Sequence, residues 1–213
     1  MKTKTKTVVL YATLGALIFA AMTLDRAITP FLPLSAAFIT LTVTFTFALV
    51  KPKLATAVAS GLIFGVSSCI TAIFFGKSSV INPLISILPR AFLGFIIYGV
   101  YALCHKIFGN AKPKTREIAS ISTAAALTTA MNTVLFLSAL VLFGENNTLD
   151  SVFKVTVLAN AVPEFVMTAI LVPIVTLGVR RGLHITDKSA ETESAPIYNN
   201  EKDDGTDDNG DNK

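Results

Sequence analysis

Six apolar stretches, each ended by charge or by proline and glycine, constrain this chain more than any other feature. They run over about residues 8–24, 34–50, 54–75, 83–104, 118–143 and 151–179. A helix needs about 20 mostly apolar residues to cross a bilayer, and backbone inside lipid has to satisfy its own hydrogen bonds. The expected fold class is therefore an all-α integral membrane protein of six transmembrane helices. Asp25–Arg26 with Pro30 and Pro33 closes the first stretch, and Lys51–Pro52–Lys53 closes the second. Gly76–Lys77 ends the third, and Lys106 to Arg116 separates the fourth from the fifth. Gly144 to Asp150 closes the fifth, and Arg180–Arg181 stops the sixth. Asn82–Pro83 reads as the N-cap and first residue of the fourth helix.

Composition agrees with this reading. Of 213 residues, 52% are hydrophobic and only 15% charged, whereas soluble domains carry about 25% charge. A soluble enzyme and a DNA-binding protein are excluded, and the partner surface is the lipid bilayer rather than nucleic acid. Residues 1–186 hold 15 Lys and Arg against 5 Asp and Glu, while residues 187–213 hold 3 against 9. The chain thus divides into a six-helix membrane domain, 1–186, and an acidic tail, 187–213. The tail lacks the apolar residues to bury a core and is expected to be disordered. Lys2, Lys4, Lys6, Lys51, Lys53, Lys106, Lys112, Lys114, Arg116, Arg180, Arg181 and Lys188 fall on one side of the expected membrane. The other side holds Arg26 and Lys77, with Lys154 just inside the sixth stretch. By the positive-inside rule both termini are cytoplasmic.

The first stretch resembles a signal peptide in its basic start, but Ile18 to Met22 offer no small-x-small cleavage pair. It is read as a retained helix. Thr40, Thr42, Thr44 and Thr46 alternate with apolar residues like a strand. A lone strand cannot satisfy its backbone in lipid, so the segment is read as helix, with its hydroxyls bonded to the preceding turn. Cys69 and Cys104 have no CxxC partner and read as packing residues. No HExxH, GxSxG or metal-ligand cluster occurs. Gly76–Lys77–Ser78 lacks the phosphate loop's first glycine, since Thr71 stands there. The chain is not read as an enzyme, no cofactor is expected, and any use of ATP belongs to a partner.

The informative residues are polar ones within the apolar stretches, because charge at membrane depth is costly and lines a cavity or finds a partner. Asn82, Ser86 and Arg90 recur every four residues and share one helix face. Arg90 lies roughly 10 Å below the outer end at 1.5 Å per residue. Thr156, Asn160, Glu164 and Thr168 repeat that spacing in the sixth stretch, and Thr128 and Asn132 stand in the fifth. Together they describe an outward-open polar pocket with one cation and one anion. The substrate-binding set is Asn82, Ser86, Arg90, Asn132, Asn160 and Glu164, with Arg90 suited to a carboxylate. The alternative is a structural Arg90–Glu164 pair, with Asn132 and Asn160 as interhelical hydrogen-bonding groups. Ala12, Ala16 and Ala20 form one small-residue stripe, and Ala57, Gly61 and Gly65 another. Each is explained by packing within the chain or, if exposed, by a separate membrane subunit.

Several segments carry a resemblance. "NPLISILPRAFLGFIIYGV" (Asn82 to Val100), "MNTVLFLSALVLFG" (Met131 to Gly144) and "NAVPEF" (Asn160 to Phe165) resemble the substrate-binding S component of energy-coupling factor (ECF) vitamin transporters, in its pantothenate-type branch. Met131 stands where that branch has threonine. The Ala12/Ala16 spacing is similar to the family's first-helix AxxxA motif. The resemblance spans about residues 8–180 and implies a vitamin site near the outer face, closed by loops 25–33 and 76–82. It also implies a membrane coupling (T) subunit and two cytoplasmic ATPase subunits as partners, in the plasma membrane of a bacterium. Pantothenate is the favoured ligand. The alternatives are another water-soluble vitamin or precursor, or a stand-alone secondary transporter or channel. The last predicts internal repeats, and the halves 8–75 and 83–179 show no clear self-similarity.

Overall fold

The structure, a computed structural model, describes residues 2–31, 37–76, 81–143 and 161–183. It is helical throughout, with no strand among the described residues. The helices are α1 (Lys2–Ile28), α2 (Phe38–Val50), α3 (Leu54–Phe74), α4 (Pro83–Ile107), α5 (Pro113–Phe143) and α6 (Val162–Gly182). Five of them, all but α2, are long and apolar enough to cross a membrane. The chain therefore has the character of a multi-pass membrane protein, with many large apolar side chains such as Leu17, Phe92, Phe95 and Ile174 on its outside.

The second of the six expected spans is described only in part, as α2. Its 13 described residues reach about 20 Å at 1.5 Å per residue, short of the roughly 30 Å hydrocarbon layer. This helix is the interior one, with Thr40, Leu41, Thr42 and all of Thr44 to Leu49 buried. A helix apolar all round belongs inside a bundle. The alternating threonines are helical as expected, but their hydroxyls divide. Thr44 donates to the Thr40 carbonyl one turn back at 2.8 Å. Thr40 instead donates to the Asp25 carboxylate of α1, and Thr46 accepts from Thr176 of α6 at 3.3 Å.

Other boundaries also move. The helix expected to stop before Asp25 continues to Ile28 and then tightens into a 3-10 turn, Thr29–Phe31. Asp25 does not break it, because Thr40 satisfies one carboxylate oxygen; proline at position 30 does. α4 runs on to Ile107, and α5 starts at Pro113 rather than 118, with proline at a helix start, where its missing N–H costs nothing. The expected sixth span began at 151, but residues 151–160 lie outside the described residues, as do Lys77 and the tail from 184.

The core joins Ile18 of α1, Leu41, Phe45 and Leu49 of α2, Phe64 of α3, Leu93 and Ile97 of α4, Ile121 of α5 and Val172 of α6. The glycine stripe of α3 resolves to packing within the chain. A Cβ on Gly65 would lie 2.9 Å from the Ile87 Cα, and one on Gly94 would lie 2.6 Å from the Val58 Cα. Backbone touches backbone along this seam, a small-residue crossing of the kind membrane helices favour. The alanine stripe of α1 has the opposite fate, since Ala12, Ala16 and Ala20 are exposed.

Both internal prolines leave a carbonyl without its helical donor, and each finds a substitute. Pro89 cannot bond the Ile85 carbonyl, and the guanidinium of Arg90 takes it at 2.8 Å. Pro173 likewise frees the Ala169 carbonyl, which accepts from the Ser122 hydroxyl of α5 at 2.8 Å. In lipid such substitution is what makes a helix-interior proline tolerable.

Candidate functional site

Antiparallel helices bring the ends of α1, α3 and α5 together with the starts of α2, α4 and α6. Of the buried charged residues among the described ones, Asp25, Arg90 and Glu164 lie toward this end. Asn82 caps α4, its side chain accepting from the Leu84 N–H at 3.0 Å. One turn on, Ser86 is fully buried, and another turn on, Arg90 is 6% exposed. The three share one face of the helix, as the spacing predicts.

Arg90 is held by an unusual set of neighbours. Its Cζ stands 4.4 Å from the centre of the Phe136 ring of α5 and 5.8 Å from that of Phe64 of α3. Ring faces attract a cation by their quadrupole. Glycine at position 65 makes room for its stem, since a Cβ there would lie 3.3 Å from the Arg90 Cβ. One guanidinium nitrogen donates to the Ile85 carbonyl, while Nε is buried without a hydrogen-bond partner. Among the described residues no ion pair joins Arg90 to Glu164, so the structural pairing weighed from sequence is not formed. Its Nε is a donor that neither ring nor carbonyl satisfies.

On the facing helices, the Thr129 and Thr168 hydroxyls meet at 2.8 Å and pin α5 to α6. Asn132 lies about one turn beyond Thr129, and Glu164 one turn before Thr168, so the two polar groups sit toward the same end of the bundle. The Asn132 Oδ1 is buried without a hydrogen-bond partner, and Glu164 is buried. Asn160 lies outside the described residues. Asn82, Ser86, Arg90, Asn132 and Glu164 are thus all placed toward one end of the bundle.

Sequence reasoning missed two things here. Asp25, read as a chain break, is 6% exposed and belongs to this end. Its carboxylate accepts from the Thr40 hydroxyl of α2. The available signal was a lone acid followed, 15 residues on, by a threonine-rich helix. The second omission lies at the opposite end. Arg180, read as a stop signal, is buried, pairs with Glu117 of α5 and donates to the Leu49 and Val50 carbonyls that end α2. Tyr101 of α4 donates to the same Glu117 at 3.1 Å. Glu117 was the only acid between Lys106 and Ile121, and that isolation among basic residues was the clue.

Chemically, the first end offers the Arg90 guanidinium with an unpartnered Nε, and the unpartnered Oδ1 atoms of Asn132 and Asp25. It is suited to holding a solute with an anionic end and hydrogen-bond donors. Among the described residues no group of three His, Cys, Asp or Glu side chains is placed to hold a metal ion. Comparison of the chain with protein-family models, curated protein sequences and solved structures gave no match.

Proposed function

We propose that this chain is the substrate-binding S component of an ECF-type vitamin transporter, taking up a small carboxylate-bearing vitamin, with pantothenate favoured. The observation that carries the reading is the buried Arg90, which has a guanidinium donor to spare and no carboxylate paired with it among the described residues. A buried cation in a membrane span calls for a counter-charge or a polar ligand, and a carboxylate fits its planar fork. Pantothenate would place its carboxylate there and offer its hydroxyl and amide groups to Asn132, Asn160 and Glu164.

Two further features support it. The described helix ends and turns at the Arg180 end carry Lys51, Lys53, Lys106, Lys112, Lys114 and Arg116, whereas the site end has Arg26. By the positive-inside rule that bias supports an outward-facing site, cytoplasmic termini and the six-span reading. The membrane is the bacterial plasma membrane. In addition, α1 is less buried than its neighbours, 22% of its spanning window against 50% for α3. Its exposed Ala12, Ala16 and Ala20 offer a smooth surface to a membrane coupling subunit, which would link the chain to two cytoplasmic ATPases.

The test is a calorimetric screen of the purified protein against water-soluble vitamins. Tight pantothenate binding is expected, and Arg90→Ala should weaken it by more than about 2 kcal/mol, roughly 30-fold. Unchanged affinity in that variant removes Arg90 from the site. Substrate uptake by the reconstituted chain with no ATPase present would favour a stand-alone transporter instead.

A further inference from the structure

We propose that Asp25, at the end of α1, is a ligand-binding residue of this site, accepting a hydrogen bond from a hydroxyl or amide N–H of a solute whose carboxylate lies on Arg90. The inference deepens the vitamin-binding reading and rests on it.

The carboxylate of Asp25 is oriented before any ligand arrives. The Thr40 hydroxyl donates to Oδ2, Thr40 itself sits in the interior helix with 1% exposure, and the Asp25 carbonyl accepts from the Thr29 hydroxyl at 2.6 Å. Both ends of the residue are therefore fixed. Oδ1 is left buried and without a hydrogen-bond partner. Buried polar atoms are rarely left in that condition, and a carboxylate oxygen accepts only.

A second buried group at the same end has the opposite need. Arg90 Nε is a donor without an acceptor. An orphaned donor and an orphaned acceptor at one end of the bundle select a solute with complementary polarity at its two ends. Such a solute carries an anionic group at one end and a donor at the other. A dicarboxylate would meet repulsion at Asp25, and a plain fatty acid would leave Oδ1 unsatisfied. Hydroxy-amide carboxylates fit, and pantothenate is one. Preorganised groups of this kind raise affinity because little ordering remains to be done on binding.

The experiment measures affinity and melting temperature for the full-length wild type, Asp25→Asn and Asp25→Ala in detergent. The probes are pantothenate, the matching N-acyl-β-alanine without hydroxyls, and pantothenate methylated on its amide nitrogen. The wild type should prefer pantothenate over at least one analogue by about tenfold. Asp25→Asn and Asp25→Ala should lose that preference while still binding that analogue as the wild type does. If both variants bind all three probes with wild-type affinity, or weaken all three equally while melting lower without ligand, Asp25 is structural and the inference is overturned. Those outcomes leave the vitamin-binding reading standing. If the wild type binds neither pantothenate nor another vitamin, that reading fails and takes this inference with it.

Discussion

Replacing Arg180 by alanine should unsettle the bundle far from the candidate site. In the wild type its guanidinium serves three acceptors on two helices. Nε donates to the Val50 carbonyl at 3.1 Å, Nη2 to the Leu49 carbonyl at 2.6 Å, and Nη1 to Glu117. The two carbonyls belong to the last turn of α2, where no helical donor remains. The paired side chains are 10% and 12% exposed, so this is a buried pair rather than a surface one. Removing one partner of such a pair costs about 3–5 kcal/mol, because the other charge stays behind. Tyr101 and His105 remain near Glu117 but do not reach the α2 carbonyls that the guanidinium serves. For a chain of this size, about 2–4 °C of melting temperature goes with each kcal/mol, so a drop of roughly 10 °C is expected. Thermal unfolding in detergent reads it directly. Glu117→Leu combined with Arg180→Met should recover more than half of the loss, since replacing both charges by apolar side chains avoids the stranded ion. A melting temperature for Arg180→Ala within about 2 °C of wild type would refute this account, as would a double variant that loses the sum of the two single changes.

Two smaller perturbations test the packing logic. Ser122→Ala should cost about 1–3 kcal/mol by stranding the Ala169 carbonyl, and the cost should largely vanish in a Pro173→Ala background, where the helix supplies its own donor; equal losses in both backgrounds would sink the idea. Gly94→Leu should destabilise by about 1–3 kcal/mol or more, because its Cβ would lie 2.6 Å from the Val58 Cα and 2.8 Å from the Ala57 carbonyl carbon. Gly99→Leu, where a Cβ meets nothing within 4 Å, should leave the melting temperature unchanged, and a matching drop there would show that helix propensity or lipid contact, not the seam, is being measured.

Much of the architecture was legible in the sequence, because a bilayer restricts the backbone to few choices. Apolar length and the charge breaks marked where the helices lie, and the lipid argument correctly overruled the strand-like threonines of α2. The four-residue spacing of Asn82, Ser86 and Arg90 put them on one face, since helical periodicity is a local property. Legibility stopped where a residue's meaning depends on a helix distant in the chain. Asp25 and Arg180 looked like end markers, and each is buried against helices that the sequence does not name as neighbours. The Arg90–Glu164 pairing was plausible by charge alone, yet two phenylalanine rings and a proline-freed carbonyl hold the arginine instead.

The two small-residue stripes make the same division clear. By spacing they are alike, and nothing local says which is covered. Tertiary packing closed the Ala57, Gly61, Gly65 stripe against α4, where a missing Cβ lets backbones touch, and left Ala12, Ala16 and Ala20 open on the outer helix. Sequence by itself determined that this chain is a bundle of membrane helices with polar residues set at helical spacing. Only the tertiary structure decided which of those residues share an end of the bundle and which are left with an unmet hydrogen bond, because both depend on contacts between helices far apart in the chain.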